Sequence, residues 1–387
     1  MLVSGTCIGA GMLALPISTA MAGFLPSILA LCLVWAFMCF TGLLVIEVNL
    51  WLPKGTSFIS MAHKTLGRFG QALTWFIFIL LLYCLLAAYI TGGGALVLAI
   101  FKARANTLHD FLSCLPWIFG VGILIYEGTF LSDRVNRILM LGVLISFSVL
   151  GACVTPHIHL HHLLFVGHFR YLFFALPILF ASFGFHIVLP TIRDYLNDHA
   201  HVLPWVVILG SLISLIVYIL WEFLIFGLVP VYGPHSLSTI YEQGQLGGLL
   251  TQTILAITHN RWVSFATRSF VFFALSSSFI GVSLGLFDLL ADGFHIKKTH
   301  AGRGLLSLLT FLPPFIFALF YPKGFLMALS FAGVFVAILH GILPMAMIFS
   351  GRYIKKFTSS RYRVFGGKTA LVLVFVVSCA VIVSNFV

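Results

Sequence analysis

Long apolar runs constrain the fold of this chain more than any other feature. A helix needs about 20 apolar residues to cross the hydrocarbon core of a bilayer. The chain contains eleven such runs, at about 2–24, 27–52, 72–100, 115–131, 136–155, 169–190, 203–229, 263–290, 304–321, 324–350 and 369–387. Only 8% of its 387 residues are charged, too few to cover the surface of a soluble domain. The sequence therefore predicts an all-α polytopic membrane protein.

The basic residues predict how the spans are oriented. Fifteen of the 21 lysines and arginines fall on the side of the N-terminus, and six fall on the opposite side. Those six are Lys102, Arg104, Arg170, Arg261, Arg268 and Lys323. Cytoplasmic loops carry the excess of basic residues, so we expect a cytoplasmic N-terminus and a C-terminus on the outer side. This bias explains the net charge of +11 without a nucleic-acid partner.

The first apolar run is interrupted by glycine. Gly5, Gly9 and Gly11 lie within seven residues, and each costs a helix about 1 kcal/mol relative to alanine. Non-helical backbone is tolerated at membrane depth only where protein or a water-filled cavity satisfies its polar groups. The pattern indicates either a substrate site in a broken helix, as in transporters, or small residues packed against a neighbouring helix.

The sixth run has a similar interruption. Residues 180–186 read FASFGFH, and Pro190 follows. The first and sixth runs are five spans apart, so equivalent segments would cross the membrane in opposite directions, as in an inverted repeat. We therefore expect one transmembrane domain over 1–387, with one repeat at about 1–155, a second at about 169–350 and an extra helix at about 369–387.

Two connecting segments are expected to contain helices outside the spans. The inner loop at 53–71 is predicted to hold an interfacial helix. The outer loop at 230–262 carries an apolar stretch from Leu246 to Ile257, which is predicted to be a re-entrant or surface helix, or a plain connector. Tight turns are predicted at 23–26 and 322–324.

Four motifs resemble those of a known family. They are GTCIGAGMLALP at 5–16, LVIEV at 44–48, SFGFH at 182–186 and SFIGVSLGLFD at 278–288. Together they resemble the bacterial aromatic amino acid permeases of the amino acid–polyamine–organocation superfamily, with the tyrosine-specific branch most similar. Only three residues precede Ser4, whereas half a hydrocarbon core needs roughly ten helical residues, so the resemblance implies a longer N-terminal piece than this sequence has.

The resemblance implies a fold and an activity. It implies a LeuT-like core of two inverted five-helix repeats with broken helices 1 and 6, an eleventh helix, and a place in the bacterial inner membrane with the C-terminus in the periplasm. The implied activity is proton-driven import of tyrosine by alternating access. The alternatives are tryptophan or another neutral amino acid as substrate, and sodium as coupling ion. No cofactor is implied, and the oligomeric state stays open.

The polar ends of an amino acid suit the ends of broken helices. Free N–H groups at a helix N-terminus favour a carboxylate, and carbonyls at a C-terminus favour an ammonium. We therefore expect the carboxylate at Gly9, Ala10 and Gly11. The ammonium is expected at the carbonyls near Ser4 and Gly5 and near Ala181 and Ser182, and Thr6 is a further candidate residue of the substrate site.

An aromatic ring needs an apolar slot with few polar groups. Phe183 and Phe185, which flank Gly184, are candidate walls, and Tyr83 and Tyr89 of the third run are further candidates. Because the chain has 40 phenylalanines, each of these residues is equally open to a packing role.

Ionisable residues inside the membrane are the candidates for ion coupling. His186, Glu47 and Asp288 are predicted to take part in proton coupling. The alternatives are contact with the substrate or a backbone hydrogen bond for His186, a structural hydrogen bond to the first span for Glu47, and contact with water for Asp288. Ser277 and Ser278 are candidate ligands of an ion, or they bond to their own helix.

Other classes lack their sequence signals. The chain has no HExxH and no paired intramembrane carboxylates, and its GxSxG match at 281–285 lies inside an apolar run and not at a strand-to-helix turn, so an enzyme is not predicted. It also has no filter-like loop of the kind that a channel needs. The run His157, His159, His161 and His162 has metal-like spacing, but we interpret it as a solvated loop and expect no metal.

Overall fold

The chain folds into helices throughout its described length. A computed structural model describes residues 2–101, 107–196, 201–243, 246–357 and 362–387. Within these ranges, nine helices are long and apolar enough to cross a membrane. This confirms the prediction of an all-α polytopic membrane protein. Lys102, Arg104 and Arg361, which were counted for orientation, lie outside the described residues.

The described residues before 170 contain seven α-helices. They are α1 (Leu2–Cys7), α2 (Ala10–Ser18), α3 (Phe24–Leu50), α4 (Phe58–Phe101), α5 (Thr107–Glu127), α6 (Thr129–Val154) and the short α7 (Leu160–Leu163). A further turn at Ala20–Ala22 connects α2 to α3, and Gly23, with φ of 93°, makes the bend before α3.

Ten α-helices follow among the described residues from 170 onward. They are α8 (Arg170–Ser182), α9 (Leu189–Tyr195), α10 (Leu203–Leu228), α11 (Leu237–Gln243), α12 (Leu246–Thr258), α13 (Arg261–Gly293), α14 (His300–Phe320), α15 (Phe325–Val336), α16 (Leu343–Phe349) and α17 (Gly367–Ser384). A π-helical segment, Ala337–Ile342, joins α15 to α16, and a second one, Ser350–Ile354, follows α16.

Two predicted spans differ from the nine long helices. Residues 2–24 form α1, α2 and a turn instead of one helix. The fourth run corresponds to α5, whose apolar part, Phe111–Glu127, is shorter than the long helices. Both differences have a local cause, because glycines divide the first run and the fourth run was already short.

The expected helices in the connecting segments are present. Gly67 has φ of 80° and divides α4, so a short helix from Phe58 precedes the third span. Met61, Ala62 and Thr65 of this short helix are buried against the rest of the protein. In the outer loop, α12 covers the apolar stretch that was predicted from Leu246 to Ile257.

Close helix contacts use glycine where backbones meet. A Cβ atom on Gly333 of α15 would overlap the Pro177 carbonyl of α8. Lipid tails are as apolar as the side chains of a membrane helix, so no hydrophobic driving force brings such helices together. Close packing of small residues holds them together instead. This contact brings the tenth span against the sixth, next to its interruption.

Candidate substrate site

The first interruption comprises Ile8 and Gly9, between α1 and α2. The Ile8 N–H donates to the Ser4 carbonyl at 2.9 Å and completes α1. Gly9 is extended, with φ of −174° and ψ of −152°, and α2 begins at Ala10. The carbonyls that end α1 and the N–H groups that begin α2 therefore lack helical partners.

Side chains from two other helices reach this interruption. The Ala10 N–H donates to Ser278 Oγ of α13 at 2.9 Å, and the Tyr89 hydroxyl of α4 interacts with the same serine. A Cβ atom on Gly9 would overlap Ser278 Oγ. The extended conformation of Gly9 itself suits any residue. Glycine is needed here because α13 approaches the backbone closely.

The second interruption comprises residues 183–185, between α8 and the turn His186–Val188. The Phe183 N–H donates to the Phe180 carbonyl at 3.1 Å, and the Phe185 N–H donates to the Phe183 carbonyl at 2.9 Å. The two interruptions are neighbours, because a Cβ atom on Gly11 would lie 3.5 Å from Ser182 Oγ. The structure thus brings together the two segments that glycine patterns had singled out.

Tyr218 of α10 joins the two interruptions. Its hydroxyl oxygen lies 2.6 Å from the Cys7 carbonyl, which ends α1, and 2.6 Å from the Ser182 carbonyl, which ends α8. The side chain is fully buried, and its ring packs edge-on against Phe183 with centroids 5.1 Å apart. A phenol has one proton to donate, so two carbonyls share a single donor.

Tyr218 was missing from the residues predicted from sequence. A signal for it exists, because Ser211, Ser214, Tyr218 and Glu222 recur at helical spacing along α10. All four side chains are fully buried. A polar stripe of this kind on a membrane helix marks a face turned toward protein or a cavity rather than lipid.

Phe185 and His186 face another part of the bundle. The His186 Nε2 atom lies 2.8 Å from Thr41 Oγ1 of α3. Its ring stacks between Phe185, at 4.7 Å, and His340 of the π-helical segment, at 4.3 Å between centroids. All three rings are buried, so these residues form an aromatic stack beside the interruption and not a wall next to Tyr218.

Three further candidates form hydrogen bonds away from the interruptions. The Tyr83 hydroxyl donates to the Leu309 carbonyl of α14 at 2.8 Å, so the structure brings Tyr89 and not Tyr83 to the site. Ser277 Oγ donates to Asn136 Oδ1 of α6 at 2.8 Å, whereas Ser278 faces Ala10. Thr6 Oγ1 donates to the Val3 carbonyl of its own helix at 2.8 Å.

Glu47 lies in a buried ion pair. Arg352 donates to its two carboxylate oxygens, from Nε at 2.8 Å and from Nη2 at 2.5 Å. The Val364 N–H adds a third hydrogen bond at 2.6 Å. The structural alternative for Glu47 is therefore corrected, because its partners lie in and after the tenth span and not in the first.

Asp288 lies at the surface. It pairs with Lys298 at 2.8 Å, and the side chains of Asp288 and Lys298 are 42% and 45% exposed, respectively. This placement corresponds to contact with water, the alternative that the sequence left open for this residue.

The outer histidines cluster without forming a metal site. The rings of His159, His161 and His162 lie 4.3 to 5.6 Å apart. Burial lowers the pKa of the His162 imidazole, whose Nδ1 atom lies 3.2 Å from the Gly227 carbonyl. No group of three or more histidine, cysteine, aspartate or glutamate side chains in the described ranges is placed to hold a metal ion.

Comparisons with known proteins define the class to which this arrangement belongs. The model of the tryptophan/tyrosine permease family matches residues 1–385. The chain therefore belongs to the tryptophan/tyrosine permease family. It is a permease and not an enzyme, and it carries its substrate-site candidates in a multi-pass membrane domain.

The matches to individual relatives cover nearly the full length of this chain and of each relative. The chain is 35% identical to the tyrosine-specific transport system 1 of Haemophilus influenzae, over 97% of this chain and 92% of that protein. It is 32% identical to a tryptophan-specific transport protein of Pseudomonas aeruginosa, over 98% and 91%. It is also 32% identical to the low affinity tryptophan permease of Escherichia coli K12, over 100% and 94%.

Proposed function

We propose that this protein imports an aromatic amino acid, tyrosine in the first place, across the bacterial inner membrane by proton symport and alternating access. The observation that carries the proposal is the position of the Tyr218 hydroxyl between the carbonyls that end α1 and α8. Family membership and the tyrosine-specific relative support the choice of substrate. Tryptophan is the second candidate, because relatives with that specificity are almost as similar.

The backbone of the two interruptions suits both charged ends of an amino acid. The first turn of α2 offers N–H groups and the positive end of a helix dipole to the carboxylate. The Cys7 and Ser182 carbonyls offer acceptors to the ammonium. An ammonium has three donors where the phenol has one, so a bound substrate would replace the Tyr218 hydroxyl with a better-matched partner.

The ring of the substrate would lie on the apolar side of this backbone. Phe183 is fully buried and packs against the ring of Tyr218. Aromatic rings prefer such edge-to-face or offset arrangements, so movement of Tyr218 would leave Phe183 as one wall of the slot. Tyr89 adds a hydroxyl close to Ser278 as a polar handle.

The packing of the helices supports a LeuT-like arrangement of two five-helix repeats. In such a repeat, each contact between two spans has a counterpart five spans further along. The contact of α4 with α15 corresponds to that of α13 with α6, and the contact of α4 with α14 corresponds to that of α13 with α5. Likewise α4 with α5 corresponds to α13 with α14, so the proposed repeats are α1 to α6 and α8 to α16, with α17 as the extra helix.

An open strip beside α1 supports a path to the predicted cytoplasmic side. Gly281 and Gly285 of α13 lie one and two turns beyond Ser278 on the same face. A Cβ atom at Gly281, Gly285 or Gly5 would meet no atom within 4 Å. The N-terminus is proposed to lie in the cytoplasm and the C-terminus in the periplasm, as the basic residues predict.

Uptake of labelled tyrosine into sodium-free proteoliposomes tests this function. We expect accumulation that depends on an inward proton gradient and is blocked by unlabelled tyrosine but not by tryptophan. Block by tryptophan alone would transfer the assignment to the second candidate. Accumulation that requires sodium would replace the proton as coupling ion and direct attention to Ser278.

A further inference from the structure

A second acid lies inside the membrane, without the partners that Glu47 has. Glu222 of α10 is fully buried. Its Oε1 atom lies 3.3 Å from Thr19 Oγ1, and its Oε2 atom has no hydrogen-bond partner in the described structure. A carboxylate buried alone costs several kcal/mol, so this residue needs either a proton or a function that justifies its charge.

The hydrogens around Glu222 fit the protonated carboxyl. Thr19 has one hydroxyl proton, and the Leu15 carbonyl, at 2.9 Å, is a closer acceptor for it than Glu222 is. If Glu222 holds a proton, it can donate to Thr19 Oγ1 while Thr19 donates to Leu15, and every donor finds an acceptor. If Glu222 is ionised, it has to compete with Leu15 for that single proton.

The helix that faces Glu222 also disfavours its charge. Thr19 follows the last residue of α2, where the helix dipole is negative. The nearest feature of α2 is therefore a set of carbonyls, which repel a carboxylate. Glu47 is the opposite case, because Arg352 provides two hydrogen bonds and a full positive charge.

No charged group on the surrounding helices offsets Glu222. The titratable or charged side chains on elements packed against α10, on α10 itself and near Trp221 are Cys7, Cys32, Cys39, Glu47, Asp133, Arg134, Arg137, Cys153, His157, His161, His162, Tyr218 and Arg268. Within the described ranges, none of them forms a hydrogen bond or ion pair with the Glu222 carboxyl.

We propose that Glu222, rather than His186, Glu47 or Asp288, carries the coupled proton. This inference rests on the proposed function and names the group that performs its coupling step. The only chemical change at Glu222 is the gain and loss of a proton. The carboxylate takes up the proton from the outer side, becomes neutral, and releases the proton to the inner side.

The position of Glu222 links the proton to the substrate through one short helix. The nine residues of α2 span about 13 Å at 1.5 Å per residue. The proposed carboxylate site lies at its N-terminus and Glu222 at its C-terminus. Movement of α2 therefore changes the surroundings of the proton and of the substrate together, which is what symport requires.

The test compares Glu222→Gln with the exposed acid variant Glu242→Gln in proteoliposomes, with the membrane potential clamped. Glutamine keeps the shape of the neutral carboxyl and cannot release a proton. With one proton per substrate, a gradient of about two pH units drives about 100-fold accumulation. Glu222→Gln should exchange internal for external tyrosine at the rate of the unmodified protein but accumulate none, and Glu242→Gln should do both.

Gradient-driven accumulation by Glu222→Gln, or loss of its exchange together with accumulation in a protein that stays monodisperse, would overturn the assignment. Absence of tyrosine exchange in the unmodified protein would instead count against the proposed function.

A second measurement is independent of transport. The infrared band of a neutral carboxyl should be present at neutral pH in the unmodified protein and absent from Glu222→Gln, and its presence in both would contradict the proposal.

Discussion

The two interruptions differ in how their backbone is satisfied. At the first, the partners of Cys7 and Ala10 are Tyr218 and Ser278, which belong to distant helices. At the second, Tyr218 also bonds to the Ser182 carbonyl, but local turns supply the hydrogen bonds of the Phe183 and Phe185 N–H groups, and buried aromatic rings fill the surrounding space. Long-range partners separate when helices move, whereas local turns do not. The first interruption and the Ser182 carbonyl are therefore suited to exchange a protein partner for a ligand, and residues 183–185 to act as a fixed wall.

Substitution of the two glycines should give the largest contrast. In Gly9→Ala the new methyl group overlaps Ser278 Oγ, whereas in Gly184→Ala it would lie 3.4 Å from the nearest atom outside its immediate neighbours. Overpacking costs about 1–3 kcal/mol, so Gly9→Ala should lower tyrosine uptake about tenfold or more while Gly184→Ala stays near normal. Tyrosine uptake by the Gly9→Ala and Gly184→Ala variants in proteoliposomes measures this contrast.

A double variant tests whether the effect of Gly9→Ala comes from steric overlap with Ser278. Gly9→Ala with Ser278→Ala removes the overlapping oxygen, since the Ser278 Cβ atom lies 3.6 Å from the new methyl group. Part of the lost uptake should return. Equal loss in both glycine variants would mean that the two interruptions are not different in this respect.

Tyr218→Phe should alter binding and stability in opposite directions. Loss of the Tyr218 hydroxyl leaves the buried Cys7 and Ser182 carbonyls without a donor, at a cost of about 1–3 kcal/mol. The melting temperature of the substrate-free protein should therefore fall. Tyrosine no longer has to displace the hydroxyl, so its apparent Kd should tighten several-fold. Thermal shift with and without tyrosine measures both. A weaker Kd would show that the hydroxyl stays in the occupied site.

His186→Asn tests the second interruption as a fixed element. Asparagine retains a group that can bond to Thr41 but loses the stack with His340. A lost buried hydrogen bond or ring contact is worth about 1 kcal/mol, so stability should fall modestly while proton-driven accumulation persists. Kinetics that no longer respond to pH would return the coupling proton to His186.

The serine pair should give the smallest effect. Ser278→Ala removes the acceptor of the Ala10 N–H, a hydrogen bond worth about 1 kcal/mol that the substrate carboxylate would otherwise have to displace, so tyrosine affinity should tighten several-fold. Ser277 bonds to Asn136 instead, and Ser277→Ala should leave affinity unchanged. Binding isotherms of the two variants compare them directly, and equal affinities would remove Ser278 from the site.

The sequence predicted the features that depend on local composition. The apolar runs predicted the helical membrane fold because bilayer thickness sets their length. Gly9 and Gly184 marked the interruptions because glycine weakens a helix wherever it occurs. The same local patterns placed the helix that starts at Phe58 and the outer helix α12.

The partners across the bundle could not be predicted in this way. Tyr83 and Tyr89 are six residues apart on one helix, so their side chains point in directions about 120° apart around its axis. Which of them reaches Ser278 depends on how α4 is rotated against α13. Glu47 and Arg352 are separated by 305 positions, and hydropathy does not encode that pairing.

A structure determined with tyrosine bound tests the central claim most directly. We predict the carboxylate within hydrogen-bond distance of the N–H groups of Gly9 to Gly11. The ammonium should lie between the Cys7 and Ser182 carbonyls, in the place of the Tyr218 hydroxyl. Tyrosine bound elsewhere, with Tyr218 still joined to both carbonyls, would contradict the account.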